Sequence, residues 1–392
     1  MKLARPKIFY FVLFSIQTFA QKSPILHSSL VFPLQEKHVH ASSLVVLPNE
    51  DNLIVWFEGS GERTSDDVKL MGARLAKGQD KWSEPFLMAD TPNIPDCNPV
   101  MFLNTKNQLF LVWIAVQANR WEQSILRFRT SSNYLNPGPP IWEWQDNILL
   151  KPDESFAKEV EKKLKELPAS DNGWAGYAAK YDDMIIEASK DPAKRSFGWM
   201  TRIKPMVFKN GKIILPLYSD GFNMSLMAIS ENDGKTWRAG SPLVGRGPIQ
   251  PALGKKKNGN LMALLRDSGD EPSRVQKSES IDGGETWSVA TKTKLPNTAS
   301  VELLTFQDGR WIFVGNDIDD GRYKLSLYVS KDEGETWEHS LYLENDSTKK
   351  MSFSYPSLLQ APNGNILVSY SYHLAKDSKS INVVEIDPGL LK

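Results

Sequence analysis

The sequence predicts an all-β fold built from repeated units, and three observations carry that prediction. An eight-residue pattern, S-x-D/N-x-G-x-T-W, occurs at 230–237, 280–287 and 330–337, so each copy starts 50 residues after the previous one. Pairs of apolar runs joined by Gly- and Asn-containing turns recur along the chain, as expected of β-hairpins. With 41% hydrophobic residues, 12 Trp and 17 Phe, the chain can bury one large core. A period of this length is typical of a repeat architecture.

The eight-residue pattern predicts a turn between two strands. Its Ser and Asp side chains can bond nearby backbone amides, its Gly tolerates a left-handed conformation, and its Trp can pack beneath the turn. Asn232 replaces Asp282 and Asp332 in the first copy and can close the same turn. The pattern is similar to the Asp-box of the sialidase-like, or BNR-repeat, β-propellers. This resemblance implies a propeller and leaves activity open, because Asp-boxes also occur in propellers that are not enzymes.

Six strand pairs fit the repeat and predict a six-bladed, sialidase-like β-propeller. Residues 151–195 instead show helical periodicity, with Phe156, Val160 and Leu164 on one face, which predicts a helical insertion. A degenerate seventh blade is the alternative, because chain length divided by the period gives roughly seven units. A strand at 381–386 is expected to pair with 26–34 and close the ring. The six pairs lie at 42–58, 98–116, 204–218, 250–266, 300–316 and 354–372.

The first 20 residues predict a secretory signal peptide, with Lys2, Arg5 and Lys7 before a short apolar run. We therefore expect a single mature domain at 21–392 that is secreted or periplasmic. Cys97 is the sole cysteine, so neither an intrachain disulfide nor a cysteine-based metal site is expected, and no cofactor is predicted. The whole chain has 47 basic and 47 acidic residues, and loss of the leader makes it slightly negative. This charge favours neither nucleic acid nor membranes as partners, and we expect a monomer.

The resemblance to sialidases implies a site at the starts of the inner strands. Tyr355 in FSYPSL stands where those enzymes place their nucleophile, and Arg266 in LLRD matches an arginine that binds the sialic acid carboxylate. His40 replaces another arginine of that set. Gln250 replaces the glutamate that activates the tyrosine, and a neutral amide cannot accept the phenol proton.

The loop SGERTSDD after the first hairpin offers Asp66 or Asp67 as an acid/base carboxylate, of which we assign Asp67. The blocks HVHASSL, WFEGSGER and LLRD also resemble propeller proteins of polysaccharide-degrading bacteria that release rhamnose linked to glucuronic acid. Those enzymes act by hydrolysis or elimination and rely on histidine. The resemblance implies proton transfer by His40, with Tyr355 as a hydrogen-bonding or acidic partner.

Cations near blade starts predict an acidic ligand, because arginine can bind a carboxylate in bidentate fashion. For Arg202 and Lys204, a structural ion pair with Asp220 or Glu302 is the alternative. For His40 the alternative is a hydrogen-bonded core histidine, and for Trp121 a core residue rather than a sugar-stacking platform. The predicted substrate-binding residues are His38, Arg63, Arg120, Trp121, Arg202, Lys204, Gln250 and Arg266.

Together these residues predict a carbohydrate-active enzyme, a glycoside hydrolase or lyase, that removes a terminal sugar from an acidic oligo- or polysaccharide. A rhamnose-capped glucuronate is the example we favour. An exo-α-sialidase is one alternative, and a non-catalytic glycan-binding propeller is another.

Overall fold

The computed structural model describes residues 22–167, 178–306 and 308–391. Its strands form six four-stranded antiparallel sheets, each a blade of a β-propeller. The six-bladed prediction is confirmed. The seventh-blade alternative is wrong, because the segment between the second and third blades carries three helices.

Each blade takes consecutive strands, except that the last blade also receives the first strand of the chain. In chain order the strands begin with β1 (Ile25–Leu30). Blade 1 holds β2 (His38–Val46), β3 (Asn52–Gly59), β4 (Lys69–Leu75) and β5 (Phe86–Ala89). Blade 2 holds β6 (Asp96–Leu103), β7 (Leu109–Ala115), β8 (Ile125–Ser131) and β9 (Trp144–Asn147). Blade 3 holds β10 (Met206–Val207), β11 (Ile213–Ser219), β12 (Met224–Ser230) and β13 (Arg238–Ala239).

The second half of the chain repeats the same order. Blade 4 holds β14 (Pro248–Lys255), β15 (Leu261–Asp267), β16 (Arg274–Ser280) and β17 (Thr291–Pro296). Blade 5 holds β18 (Glu302–Thr305), β19 (Trp311–Gly315), β20 (Lys324–Ser330) and β21 (Glu338–Asn345). Blade 6 holds β22 (Ser352–Gln360), β23 (Ile366–Ala375), β24 (Ser378–Ile386) and β1.

The first strand of each blade is innermost and lines a central bore. Strand β2 contacts both β6 and β22, and β18 contacts both β14 and β22, as expected around a ring. The second strands carry the apolar core between blades, and β7, β11 and β19 are buried along their whole length. Their bulky aliphatic and aromatic side chains suit strands covered on both faces.

The ring closes by pairing the two ends of the chain. Strand β1 pairs antiparallel with β24, with Ser29 opposite Val383. This confirms the predicted closure, in which the first strand of the chain completes the last blade.

The three Asp-box segments form the predicted turns, each joining the third and fourth strands of a blade. In the copy at 330–337, Asp332 accepts hydrogen bonds from Ser330 Oγ at 2.7 Å and from Thr336 N at 2.9 Å. In the first copy Asn232 Oδ1 accepts the corresponding bond from Thr236 N at 2.9 Å. The prediction that Asn232 closes the same turn is confirmed.

A helical insertion follows blade 2, also as predicted. It comprises α1 (Glu154–Glu166), α2 (Ala178–Lys190) and α3 (Pro192–Ser196). Asp153 caps α1 by accepting a hydrogen bond from Ser155 N, and Phe156, Val160 and Leu164 are buried. The predicted signal peptide and residues 168–177 lie outside the described residues. In the part of the chain that the structure describes, no helix is both long and apolar enough to cross a membrane.

Candidate active site

Four inner strands each contain a β-bulge that turns a side chain toward the bore. In β2, β6, β14 and β22 the pairing with the second strand slips, so that two residues oppose one. The slip places one residue of each strand at a positive φ of 49° to 59°. A left-handed conformation at a non-glycine residue costs about 1–2 kcal/mol and turns its side chain away from the strand's regular alternation. These residues are Ala41, Asn98, Gln250 and Tyr355.

A cavity of about 800 Å³ opens at the end of the bore where the inner strands start. Gln250 and Tyr355 reach it from two of the bulges, and Arg266 reaches it from β15. The remaining walls come mainly from loops after the second strands and from α2, with Ile249 of β14 and Tyr218 of β11. The full lining is Glu62, Arg63, Trp121, Tyr181, Tyr218, Asp220, Asn223, Ile249, Gln250, Arg266, Ser268, Gly269, Asp270, Glu271 and Tyr355.

Tyr355 is surrounded by three guanidinium groups. Arg266 Nη1 donates a hydrogen bond to the phenol oxygen at 3.0 Å. The guanidinium carbons of Arg202 and Arg322 lie 4.9 Å and 5.3 Å from the centroid of the phenol ring.

This setting changes the acidity of the phenol. Burial alone would raise the pKa of Tyr355, which is only 7% exposed. The positive charges of Arg266 and Arg322 oppose that effect, and the pKa is lowered from its ordinary value. By contrast, burial raises the pKa of the neighbouring Tyr218, which also lines the cavity. Of these two tyrosines, Tyr355 is therefore the one whose phenolate is favoured.

His40 packs directly against Tyr355, with 4.1 Å between ring centroids. Its Nδ1 is 2.7 Å from Ser371 Oγ, and the side chain is buried behind the cavity lining. Burial, reinforced by the charge of Arg322, holds the pKa of His40 well below its ordinary value. His373 lies on the same side, with its ring centroid 5.8 Å from that of His40, and burial lowers its pKa to about 4. Both imidazoles are therefore neutral at neutral pH.

On one wall of the cavity, Arg63 from blade 1 contacts residues of blades 2 and 3. Arg63 donates a hydrogen bond to Asp220 at 2.9 Å, and its guanidinium carbon lies 4.0 Å from the ring centroid of Trp121. Glu62, beside Arg63, approaches His38 with 3.4 Å between Oε2 and Nε2. Glu62 also lines the cavity, where its side chain can contact a ligand.

The structure brings together most, but not all, of the residues proposed from sequence. Arg63, Trp121, Gln250, Arg266 and Tyr355 line the cavity. His40, Arg202 and His38 stand behind that lining, in contact with Tyr355, Pro356 and Glu62 respectively.

Three of the proposed residues point elsewhere. Asp67 is not part of the cavity lining; its carboxylate accepts bonds from the amide and hydroxyl of Ser60. Arg120 is exposed and pairs with Glu122 at 2.6 Å. Lys204 lines a second cavity at the opposite end of the bore. The SGERTSDD loop thus presents Glu62, rather than Asp66 or Asp67, to the main cavity.

Sequence reasoning missed Glu62 and Arg322. It named Asp220 only as a structural partner of Arg202 or Lys204, whereas Asp220 pairs with Arg63. Asp220 and Arg322 lie in connections between strands, where the local sequence gives no sign of their proximity to Tyr355 or Arg63. A signal for the bulges was present: Asn98, Gln250 and Tyr355 each precede a proline at the same place in an inner strand. In the residues described, no group of three or more His, Cys, Asp or Glu side chains could hold a metal ion.

The fold and cavity define a six-bladed β-propeller with a polar pocket at one mouth of its bore. The chain belongs to the BNR repeat-like domain family, whose model matches residues 51–178 and 194–368. It is 25% identical over 274 residues to a sialidase of Vibrio cholerae, a match that covers 60% of this chain. The chain spans about a third of the length of the curated relatives it matches, 33% of that sialidase.

Solved structures show the same fold at low sequence identity. A protein of unknown function from Dyadobacter fermentans has a TM-score of 0.67 at 14% identity, covering 93% of this chain and 99% of its own. NanB sialidase from Streptococcus pneumoniae has a TM-score of 0.66 at 12% identity, covering 97% and 73%. An α-L-arabinanase from Penicillium chrysogenum has a TM-score of 0.59 at 13% identity, covering 94% and 99%.

Proposed function

We propose that this protein is a glycosidase that cleaves the terminal linkage of an acidic glycan in the 800 Å³ cavity. One observation carries the proposal. The Tyr355 phenol stands in the cavity lining with a lowered pKa and a hydrogen bond from Arg266. A nucleophile with a perturbed pKa, among convergent cations in a large cavity, is typical of a catalytic site.

The arginines bind the acidic group and prepare the nucleophile. Arg266 donates one hydrogen bond to Tyr355 through Nη1. Its other N–H groups can bind a substrate carboxylate, which a guanidinium binds in bidentate fashion. The same positive charge favours the phenolate, so Tyr355 needs no adjacent carboxylate base. This accounts for a working nucleophile beside Gln250, whose amide cannot accept a proton.

The reaction then needs one acid/base group, and we assign Glu62. The Tyr355 phenolate attacks the anomeric carbon, the glycosidic C–O bond breaks, and Glu62, entering this step as the carboxylic acid, donates its proton to the departing oxygen. In the second step Glu62 removes a proton from water, whose oxygen bonds the anomeric carbon and releases Tyr355. His40 has too low a pKa to be an effective base, so we assign it to positioning the Tyr355 ring.

Two acidic substrates are the candidates. A rhamnose-capped glucuronate is favoured by the histidine and glutamine at positions 40 and 250, which depart from the sialidase pattern. A sialoside is favoured by Tyr355 and Arg266, which keep that pattern, and by the similarity to the Vibrio cholerae sialidase. Each candidate carries a carboxylate close to the scissile bond, which the arginines around Tyr355 would bind.

The test is to incubate the purified protein with an α-sialoside and with a rhamnose-capped glucuronate oligosaccharide. Released sialic acid identifies a sialidase, and released rhamnose identifies the uronate-directed activity. Rhamnose release accompanied by the ultraviolet absorbance of an unsaturated uronate indicates elimination instead of hydrolysis. Saturable binding of either compound without any release would replace the enzyme proposal by a glycan-binding protein.

Variants then test the assigned roles. Tyr355→Phe removes the nucleophilic oxygen, and Glu62→Gln removes the acid. Each should lower kcat by about 10²–10⁴-fold. The Glu62→Gln loss should be smaller with an aryl leaving group, which needs little protonation. Arg120→Ala, an exposed arginine outside the cavity, is the matched control and should leave kcat unchanged. Full activity of Tyr355→Phe would contradict the mechanism.

A further inference from the structure

Two cationic side chains of blade 3 cross the bore to blade 6. Arg202 Nη2 donates a hydrogen bond to the carbonyl oxygen of Pro356 at 2.9 Å, and Lys204 Nζ donates one to that of Leu358 at 2.6 Å. In a ring of six blades, blades 3 and 6 lie opposite each other. The two donors lie at positions 202 and 204, just before β10, and the two acceptors at positions 356 and 358 of β22. These bonds form a strut across the bore, which we call the Arg202–Lys204 strut.

The strut ends at the bulge that presents Tyr355. Pro356 directly follows Tyr355, whose φ of 59° depends on the surrounding structure to persist. Arg202 binds the carbonyl of Pro356 and also lies under the phenol ring, 4.9 Å from its centroid. One side chain thus contacts both the backbone and the ring that must be held in place.

Blade 5 supplies the counter-charge. Glu302, 3% exposed, acts electrostatically on both cations, favouring their charged forms. Burial raises the pKa of Glu302 to about 7, against the opposing effect of Lys204 and Arg202. Burial lowers the pKa of Lys204 to about 8. Among the residues that the structure describes, Arg202 Nε and Nη1 and Glu302 Oε2 have no hydrogen-bond partner.

The strut also separates two cavities. Tyr355 borders the main cavity, whereas Lys204 and Glu302 border a cavity of about 410 Å³ at the other mouth of the bore. The walls of that second cavity are mostly aliphatic, including Leu44, Met101 and Leu359. The two cations of the strut therefore lie between the Tyr355 phenol and the second cavity, with Arg202 nearer the phenol and Lys204 bordering the cavity.

We propose that Arg202 and Lys204 are positioning residues that hold the Tyr355 bulge across the bore, and that Glu302 moderates the positive field they apply to the phenol. This inference rests on the proposed function of Tyr355 as nucleophile. Other charged or titratable groups facing Tyr355 are Arg266, Arg322, Glu62, Tyr218 and His40.

The decisive measurement needs no substrate. The phenol of Tyr355 is titrated by ultraviolet difference spectroscopy, subtracting the spectrum of the same protein with Tyr355→Phe. Arg202→Met removes a positive charge near the ring and should raise the Tyr355 pKa by about one unit. Glu302→Gln removes a negative charge and should lower it. A role in folding alone would not produce shifts of opposite sign.

Steady-state kinetics test whether the two cross-bore hydrogen bonds hold the Tyr355 bulge in place. Lys204→Met should lower kcat about tenfold with little change in KM, because the bulge loses one of its two cross-bore bonds, and Lys204→Arg should restore most of the loss. Lys209→Met, an exposed lysine in the same blade, is the control. If Arg202→Met does not fold, Glu302→Gln and Lys204→Met still decide the question.

The two possible failures are distinguishable. An unshifted Tyr355 pKa in Glu302→Gln, with kcat of Lys204→Met equal to that of Lys209→Met, would overturn the strut inference. Opposite shifts of the Tyr355 pKa in a protein that cleaves neither glycan would retain the strut and overturn the proposed glycosidase.

Discussion

At the scale of single residues, the site depends on positive charge collected around one phenol. Arg266 bonds the oxygen of Tyr355, whereas Arg202 and Arg322 face its ring. A bond to the oxygen stabilises the phenolate directly, and a cation over the ring does so through space. Each arginine should therefore affect the pH at which the nucleophile becomes active.

Arg322→Met should move the acid limb of the kcat/KM profile to higher pH by about one unit. Removing the cation favours the neutral phenol, so the Tyr355 pKa rises and the phenolate forms later as pH increases. Below that pKa the variant should be slower than the wild type, and well above it the two should converge. Steady-state kinetics between pH 4 and pH 10, values chosen to span roughly the ordinary range of carboxyl to phenol groups, measure this shift. Arg120→Met should leave the profile unmoved.

The residues of the site differ in how far sequence could predict them. Tyr355, Gln250 and Arg266 each occupy a recognisable place in an inner hairpin, and all three reach the cavity. Glu62 was passed over within the right loop, because the spacing of that loop does not show which carboxylate turns inward. Arg322 could not be found, because its contact with Tyr355 joins residues of neighbouring blades that are distant in sequence.

At the scale of elements, the Asp-box turns are local structures whose stability comes from side-chain bonds to the backbone. Asp332 accepts bonds from the hydroxyl of Ser330, the amide of Thr336 and the hydroxyl of Thr336, the last at 2.5 Å. Although burial opposes ionisation, the bonds from Thr336 and Ser330 lower the pKa of Asp332. The ionised carboxylate is therefore the stabilising form.

Asp332→Ala should lower the free energy of unfolding by about 1–3 kcal/mol, since it removes charge-assisted bonds and leaves donors unsatisfied. The stability difference from the wild type should be present above the unfolded-state pKa of an aspartate. It should shrink as pH falls through the lowered folded-state pKa, where the wild type loses the same charge. Urea unfolding at several pH values measures it. Asn232→Asp is the matched change, and it should alter stability by less than about 1 kcal/mol because both side chains close the turn.

The helical insertion packs Phe156, Val160 and Leu164 into the same hydrophobic core as the blades beside it, and it also contributes Tyr181 to the cavity wall. Its helices were predictable from apolar periodicity, as Phe156 and Val160 show. Its contribution to the cavity was not, because the docking of α2 beside Asn223 is a tertiary contact.

Tyr181→Ala should raise KM about three- to tenfold and leave kcat nearly unchanged, because a wall residue remote from Tyr355 contributes binding rather than chemistry. Met184→Ala, one turn further along α2 and 67% exposed, should change neither constant. A fall in kcat without a change in KM for Tyr181→Ala would instead place this side chain at the reacting atoms.

At the scale of the whole molecule, the period of 50 residues was enough to predict a ring of blades, but not to count them from chain length alone. The insertion is close to one period long, so division of length by period overcounts. Apolar periodicity distinguishes a helical insertion from a seventh blade, because a buried helix face repeats every three to four residues and a strand face every two. The closing strand was predictable because the chain's last apolar segment lacked another partner.

Ring closure joins the N-terminal segment to both blade 6 and blade 1. Val31 N donates a hydrogen bond to Ile381 O at 2.9 Å, and the ring of Phe32 stacks on Trp56 with 4.7 Å between centroids. Cys97, the sole cysteine, is buried in blade 2, and burial raises the pKa of its thiol well above the ordinary value. A thiol reagent can therefore report the opening of blade 2.

Phe32→Ala should destabilise the protein by about 3–5 kcal/mol, because it removes a buried aromatic ring at the closure. If the ring unfolds as one cooperative unit, labelling of Cys97 in blade 2 should then accelerate by about 10²–10³-fold, although Phe32 lies outside that blade. Ile281→Ala, at a side chain that is 81% exposed, should leave the labelling rate unchanged. An unaltered rate in Phe32→Ala, despite its lower stability in urea, would mean that the blades open separately. Closure would then stabilise only the blades that meet there, as in an open repeat array with nearest-neighbour coupling.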